Sequence, residues 1–463
     1  MKTRTAVALV AASALAIGGA SLPAVAAPDK NIDINVALKA DITPAALKAL
    51  GAYGKVTGQL PQIDAVTLKA RSSALPKIQA LDIVAAANPD AKRVGKPVVP
   101  SEFSDMSSGL STYSLDQMDV RGPLPQDPRQ VQQTGYGVYV AVLDTGLFSS
   151  WRYYFGEDRI ATEYAKSFGG GGGSNVSEQP NKWQTDTQGH GTHVTSTIIG
   201  FDMGGVPVDG VAPQATIIPV KVLNNNGSGS SAAVAAGITY VADLKRGSLK
   251  GSPVVINMSL GGSELDAVEK AALDYALEAG VLIVASAGNS GEAGMGYPGA
   301  YAPVVSVAAT GWTGEWEPDA EGNDRTWWYA GDVAEKPGVV EETYIADFSS
   351  RELPGQDLDV AAPGAWVLGA YQVNQGQQAF YYLGGTSMAA PHVAGLVALM
   401  AEKDPGLTQT ETETILESTA VALDDGCAAV RPGPGAAPAE VCWDENATGH
   451  GLVNAFDALA ALD

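Results

Sequence analysis

The chain has 463 residues, 45% of them hydrophobic and 17% charged, with a formal net charge of −23. That length holds one large α/β domain or two to three smaller ones. So acidic a chain is a poor partner for nucleic acid or an anionic membrane, whose phosphates need basic surface; its charge favours solubility outside the cell.

The N-terminus carries Lys2 and Arg4, an apolar run from Ala6 to Ala20 and a small-residue site at Ala24-Val25-Ala26. This reads as a secretory signal peptide, residues 1–26, cleaved after Ala26. The run is too short to span a bilayer, and no later stretch reaches about 18 uninterrupted apolar residues, so an exported, soluble protein with no membrane partner is expected.

Residues 27–110 are slightly basic, in contrast to the acidic remainder. Residues 31–95 read as a small α+β unit: a strand at Ile32–Val36, a helix at Pro44–Leu50, a strand pair at Val56–Leu60 and Ile63–Ala70, a helix at Ser73–Ala80 and a last strand at Ile83–Asp90. Ser101–Leu115 loses pattern and reads as a linker open to cleavage.

Beyond it, near-continuous apolar strands are expected at Gly137–Leu143, Thr216–Leu223, Val254–Ile256, Val281–Ala285 and Val304–Ala308, with helices at Ser230–Asp243 and Leu265–Ala279. Strands apolar on both faces with helices between them predict a parallel sheet covered on each side, with sites at the strands' carboxyl ends. The run Gly169–Gly173 reads as a surface loop, since no Lys-Ser/Thr follows it.

Four stretches carry chemistry. Asp144 ends the first of these strands in Asp144-Thr145-Gly146, where an aspartate can also serve as a cap or turn former. Gly189-His190-Gly191-Thr192-His193-Val194 opens an apolar helix; its two histidines invite a metal, but a zincin needs a Glu after the first His and a spacing of four, so His190 reads better as a base. Ala285-Ser286-Ala287-Gly288-Asn289-Ser290-Gly291 places an amide at a tight strand end, which is a turn unless an activated serine lies near. Finally Gly384–Gly395 (GGTSMAAPHVAG) sets Ser387 at the start of an apolar helix, where it is either an N-cap or a nucleophile beside the positive end of the helix dipole. Near the C-terminus Cys427 and Cys442 read, in an exported chain, as one disulfide closing a Pro/Gly/Ala-rich loop, with about 3 kcal/mol of stabilisation in the loop-entropy view.

Taken together, VAVLDTG, GHGTHV, ASAGNSG and GTSMAAPHVAG, in that chain order, resemble the Asp, His, Asn and Ser blocks of the subtilisin-like serine peptidases, the subtilases. GHGLVNAFDAL, Gly449–Leu459, resembles the family's closing loop and helix, and residues 31–95 its inhibitory propeptide. The resemblance implies an α/β fold with a mostly parallel sheet of about seven strands between helices, preceded by a small α+β propeptide domain. In it residues 27–110 are propeptide with linker and 111–463 the peptidase. It implies a secreted serine endopeptidase made as a self-processed zymogen, acting on protein or peptide substrates, inhibited by its own propeptide and monomeric. Asp144, His190 and Ser387 would be the triad, and Asn289 with the Ser387 N–H the oxyanion donors. Gly227-Ser228-Gly229 and Ser259-Leu260-Gly261 would be two edges that pair with an extended substrate. Ala287, Gly288 and Gly296 would line the pocket for the residue before the scissile bond; none is charged, so an apolar side chain is expected there.

No cofactor is needed for this chemistry. Structural calcium stays open, because Phe201–Asp209 differs from the family's Asn-rich calcium loop although Asp202 and Asp209 offer oxygens. An insertion, 311–346, holds Trp312, Trp316, Trp327 and Trp328 among many carboxylates and reads either as a solvated lid with aromatics packed down or as an exosite with exposed aromatic faces. An α/β-hydrolase esterase needs Gly-x-Ser-x-Gly, which Gly-Thr-Ser-Met-Ala breaks. The alternative from another class, a non-catalytic binding module on this scaffold, would be marked by a lost triad member, and none is lost.

Overall fold

The structure, a computed structural model, describes residues 29–96, 99–103, 111–122, 129–169, 179, 181–330, 333, 340–371 and 378–462. The expected signal peptide and all but the first residue of the glycine run lie outside the described residues. Strands β1 (Asn31–Leu38), β2 (Gly54–Leu60), β3 (Ala65–Arg71) and β4 (Val84–Pro89) form an antiparallel sheet in the order β2-β3-β1-β4. Helices α1 (Pro44–Gly51) and α2 (Leu75–Gln79) share its core with Ile34, Val36 and Leu68. Thr43 caps α1 through its side chain, and Pro44 takes the first position, where a missing N–H costs nothing.

The chain then passes through β5 (Lys92–Val94), β6 (Val99–Phe103) and α3 (Tyr113–Gln117) before the large sheet begins. The expected linker is therefore structured at both ends: β6 pairs with a later strand, and Tyr113–Gln117 is helical and buried, while 104–110 lie outside the described residues. The hydrophobic count of Ser101–Leu115 was too low to reveal either element, because β6 is held by backbone pairing with a distant partner.

The large sheet runs through β7 (Tyr139–Asp144), β8 (Lys166–Ser167), β11 (Thr216–Lys221), β13 (Val254–Met258), β14 (Leu282–Ser286), β15 (Val305–Trp312), β16 (Thr343–Ile345) and β17 (Val360–Pro363). Between these come α4 (His190–Ile199), the hairpin of β9 (Phe201–Asp202) and β10 (Pro207–Val208), β12 (Ser228–Ser230), α5 (Ser231–Arg246), α6 (Ala267–Glu278) and α7 (Trp327–Ala330). The sheet order is β16-β15-β14-β13-β7-β11-β8 with β17 beside β15, and only β16 is antiparallel. After β17 follow β18 (Val367–Ala370), β19 (Phe380–Gly384), α8 (Thr386–Lys403), α9 (Gln409–Thr419), the hairpin β20 (Gly426–Val430) with β21 (Ala439–Trp443), and α10 (Ala455–Ala460). Cys427 and Cys442 face each other across that hairpin with their sulfurs 2.06 Å apart.

Alternation along β7 explains why its strand is apolar on both faces. Val140 and Val142 point into the core that contains α4 and α8, whereas Ala141 and Leu143 point into the core that contains α5 and α6. Strand β7 also has β11 on one side and β13 on the other, so the chain leaves it in both directions and a crevice opens at its carboxyl end. Asp144 stands there.

The insertion packs down. Trp316, Trp327 and Trp328 are buried, and Trp316 stacks edge-on against Trp366 and Tyr382, with ring centroids 5.1 and 4.9 Å apart. The exosite reading of exposed aromatic faces is thus corrected for these three: apolar area of this size is driven into the core. Glu315 is buried beside them, accepting from Tyr344 Oη at 2.8 Å, and burial pushes its carboxyl up to about 8.

Candidate active site

Asp144 and His190 are both wholly buried, and His190 Nδ1 lies 2.9 Å from each carboxylate oxygen of Asp144. A carboxylate can only accept, so the ring donates through Nδ1 and leaves Nε2 with a lone pair. Buried Nε2 finds no hydrogen-bond partner among the described residues. His190 opens α4, whose start is anchored from outside the helix: Asp186 accepts from the backbone N–H groups of Gln188 and Gly189, both at 2.9 Å, and from Thr145 Oγ1 at 3.0 Å. Gly191 N–H in turn donates to Thr145 Oγ1 at 2.9 Å, tying the helix to the strand end that carries Asp144. Burial pushes Asp186 up to about 6, against the pull of Lys221. Lys221 is itself pushed down by burial and held up by Asp186 and Asp144; its ammonium reaches Thr145 O and Asn225 Oδ1. Asp186, Thr145 and Lys221 were not singled out in the sequence, although an aspartate just upstream of a helix start is a capping signal.

Ser387 sits in the first turn of α8, ahead of the point where the i−4 hydrogen-bond ladder begins. Its hydroxyl donates to the Ser259 carbonyl at 3.1 Å, so the serine is turned toward the β13 edge and the link to His190 is not made in this conformation. Ser259 Oγ donates back to Ser387 O at 2.7 Å and accepts from Asn257 Nδ2 at 3.0 Å, which locks the edge to the helix. Asn289 Oδ1 accepts from Thr386 N–H at 2.8 Å and Thr386 Oγ1 at 2.9 Å, leaving its NH₂ as the free end. A Cβ at Gly385 would lie 3.4 Å from Asn289 Nδ2 and 3.7 Å from Ser387 N, so the two donors border one small space that a glycine keeps open.

The two expected substrate edges are brought face to face, and a strand of the chain itself lies between them. Strand β5 pairs antiparallel with β12, Val94 opposite Ser228 and Arg93 opposite Gly229. Gly95 N–H extends this edge, donating to Gly227 O at 3.0 Å, and on the other side of the strand Val94 N–H donates to Gly261 O at 3.0 Å and Gly261 N–H to Val94 O at 3.1 Å. A Cβ on Gly95 would stand 3.2 Å from His190 Cε1 and 2.9 Å from Ser259 O, so the strand brings its backbone to the triad before Lys96 turns out to solvent. Gly261, Gly288 and Gly296 converge below: Gly296 N–H donates to Ala287 O at 2.8 Å, and a Cβ on Gly288 would meet Gly296 N at 3.2 Å. Leu260 is buried beneath the edge.

His193, which shared the metal reading, points away from His190. Its Nε2 lies 3.0 Å from Val367 O and 3.2 Å from Tyr381 O, and burial pushes it down to about 3, so it is a neutral donor in the core. His392 is likewise pushed down to about 4 by burial and donates through Nδ1 to Met388 O at 2.8 Å. Asp209 is occupied by Arg121 and Arg129, at 3.1 and 3.0 Å, and Asp202 by Gly205 N–H at 2.7 Å. The carboxylates that do gather are Asp357, Asp359 and Glu413, whose ligand atoms lie within 4.8 Å of one another. Asp359 is 1% exposed and its Oδ1 has no hydrogen-bond partner among the described residues.

Comparison with known proteins places the chain among peptidases. The family model described as the subtilase family, Peptidase_S8, matches residues 135–454. A thermostable alkaline protease of Halalkalibacterium halodurans is 32% identical over 336 residues, 73% of this chain and 74% of that protein. Subtilisin DY of Bacillus licheniformis is 35% identical over 303 residues, 64% of this chain and 89% of its own. The crystal structure of fervidolysin from Fervidobacterium pennivorans, described as a keratinolytic enzyme related to subtilisin, superposes with a TM-score of 0.63 at 27% identity; the match covers 93% of this chain and 61% of that one.

Proposed function

The chain belongs to the subtilase family of serine peptidases, and from that premise we propose that it is a secreted endopeptidase, made as a zymogen, that cleaves peptide bonds through an acyl-enzyme on Ser387. The observation that carries the reading is His190: one ring nitrogen is committed to buried Asp144, and the other is buried with no partner, as a general base must be before substrate arrives.

When a peptide lies between Ser259–Gly261 and Gly227–Gly229, its backbone competes for the Ser259 carbonyl, and the Ser387 hydroxyl turns to His190 Nε2. His190 takes the proton as Oγ attacks, and later returns it to the leaving amine, while Asp144 holds the tautomer and stabilises the imidazolium. The oxyanion settles between Asn289 Nδ2 and Ser387 N–H. Ala287, Gly288 and Gly296 present no charge to the side chain before the scissile bond, which favours an apolar residue there. Residues 31–95 act as the inhibitor, since residues 92–95 lie where substrate must bind.

Calcium would fit Asp357, Asp359 and Glu413: three carboxylates and one orphaned buried oxygen are the hard donors this ion takes, and it would supply stability and no chemistry. Cys427 and Cys442 form a disulfide in the exported protein, which acts as a monomer on protein and peptide substrates. Among the described residues no helix is long and apolar enough to cross a membrane. Casein hydrolysis with and without a serine-directed phosphonylating reagent tests the function: loss of activity together with one adduct on Ser387 supports it. A binding module on this scaffold would hydrolyse nothing and take no adduct.

A further inference from the structure

Arg93 lies on the strand that occupies the groove, yet its side chain is wholly buried in the peptidase body. Its Nε donates to Glu269 Oε1 at 2.9 Å, and its Nη2 to Glu269 Oε2 and, at 3.0 Å, to the carbonyl of Glu264. This is a bidentate fork, the geometry in which guanidinium recognises a carboxylate best. Glu269, in the first turn of α6, is also wholly buried and takes both of its side-chain hydrogen bonds from Arg93. Burial pushes its carboxyl up, and the Arg93 guanidinium pulls it back.

The neighbouring carboxylate does not compete. Asp266 caps α6, accepting from Val268 N–H at 2.8 Å, and also accepts from Asn35, Asn88 and Ser231. The approach is shaped as well: a Cβ at Gly262 would stand 2.2 Å from Lys92 O and 2.7 Å from Arg93 Nη1, so only glycine lets a strand bearing this side chain come down. When residues 92–95 leave the groove, Glu269 loses its cation, and a buried carboxylate without a partner is costly.

We propose that Glu269 is a specificity-determining residue that selects peptide substrates with arginine at the position Arg93 occupies in the groove. Gly95 abuts His190, so the residue after it reaches Ser387, and the selected arginine is the fourth residue back from the cleaved bond. The inference rests on the peptidase reading above. Arg93 then serves as the propeptide's own copy of the preferred side chain.

The test uses the purified secreted protein, first shown to hydrolyse casein, and three chromogenic peptides: succinyl-Arg-Val-Gly-Phe-p-nitroanilide, and the same peptide with citrulline, the neutral isostere, or with leucine in place of Arg. Wild type should favour arginine in kcat/KM by about tenfold or more, and Glu269→Gln should bring the ratio to near one while casein hydrolysis persists. Because Glu269→Gln leaves Arg93 buried without its partner and could hinder folding, the double variant Arg93→Met/Glu269→Leu, which replaces the pair by apolar side chains, is measured alongside; it should prefer leucine to arginine at that position. Casein hydrolysis with a ratio near one in wild type, or a ratio that survives in both variants, overturns the subsite and leaves the peptidase. Absence of any casein hydrolysis by wild type overturns the peptidase reading, and the subsite with it.

Discussion

Thr386 orients Asn289: its backbone N–H and its hydroxyl both donate to Asn289 Oδ1, at 2.8 and 2.9 Å, so the amide can present only its NH₂ to the space beside Ser387. An amide held this way before substrate binds needs no reorganisation when the oxyanion forms. Asn289→Ala should therefore lower kcat by about 10²–10³ with KM nearly unchanged, the magnitude for removing an oxyanion-hole amide in a subtilisin. Thr386→Val keeps the N–H and loses the hydroxyl, and should cost less, about tenfold in kcat. Active-site titration with steady-state kinetics on one peptide decides this; titrated Asn289→Ala enzyme with wild-type kcat removes Asn289 from the mechanism.

Ser387→Ala should accumulate as the uncut chain, with residues 92–95 still in the groove, because removal of the propeptide is assigned to the enzyme's own serine. Mass spectrometry of wild type and variant made in a protease-free host reads the result. Trimming of the variant at the wild-type junction assigns that cut to another agent.

The hold of the propeptide should weaken as pH rises. Asp90 is mostly buried in the contact, and desolvation raises its pKa, with Asp266 nearby adding to the shift and hydrogen bonds from Ser231 and Asn35 opposing it. A carboxyl whose pKa is raised in the complex binds a proton there more readily than in the free propeptide. Its contribution is thus fully present below the free value of 3.8 and is lost as pH climbs through the raised one. Dissociation of the cleaved propeptide, followed by recovery of activity, should speed up from acid toward neutral pH, and Asp90→Asn should flatten that profile. A profile unchanged by Asp90→Asn assigns the dependence elsewhere.

Calcium should raise the melting temperature. At a free concentration about 100 times its Kd, binding to the folded state adds about 2.7 kcal/mol, which for a domain of this size is about 4 °C. Glu413→Gln should shrink the difference between calcium and chelator in a thermal melt; a difference untouched by that variant places the ion elsewhere.

Much was legible without coordinates because it depends on local pattern. Runs such as Tyr139–Asp144 are apolar on both faces, and that alone implies a sheet with a core on each side. The residue types at Asp144, His190, Asn289 and Ser387 define what each could do chemically, since a hydroxyl needs a base and a base needs an orienting partner. The strand at Val99–Phe103 was not legible, because its pairing with Phe380–Gly384 lies in backbone groups that every sequence possesses.

Charge compensation is the part that only tertiary structure decided. Glu269 reads in sequence as one more acidic residue on a helix, and Arg93 as one of a basic pair at the end of a strand; folding brings them into one buried fork across 176 positions. The tryptophans of 311–346 were ambiguous for the same reason, since whether an aromatic face is covered depends on what Tyr382 and Trp366 bring to it. Periodicity and propensity act over a few residues, so they reveal which elements form and where a reactive group stands on its own strand or helix. Desolvation and pairing act between elements that meet only after folding, and they determine which of those groups remain free to bind a partner.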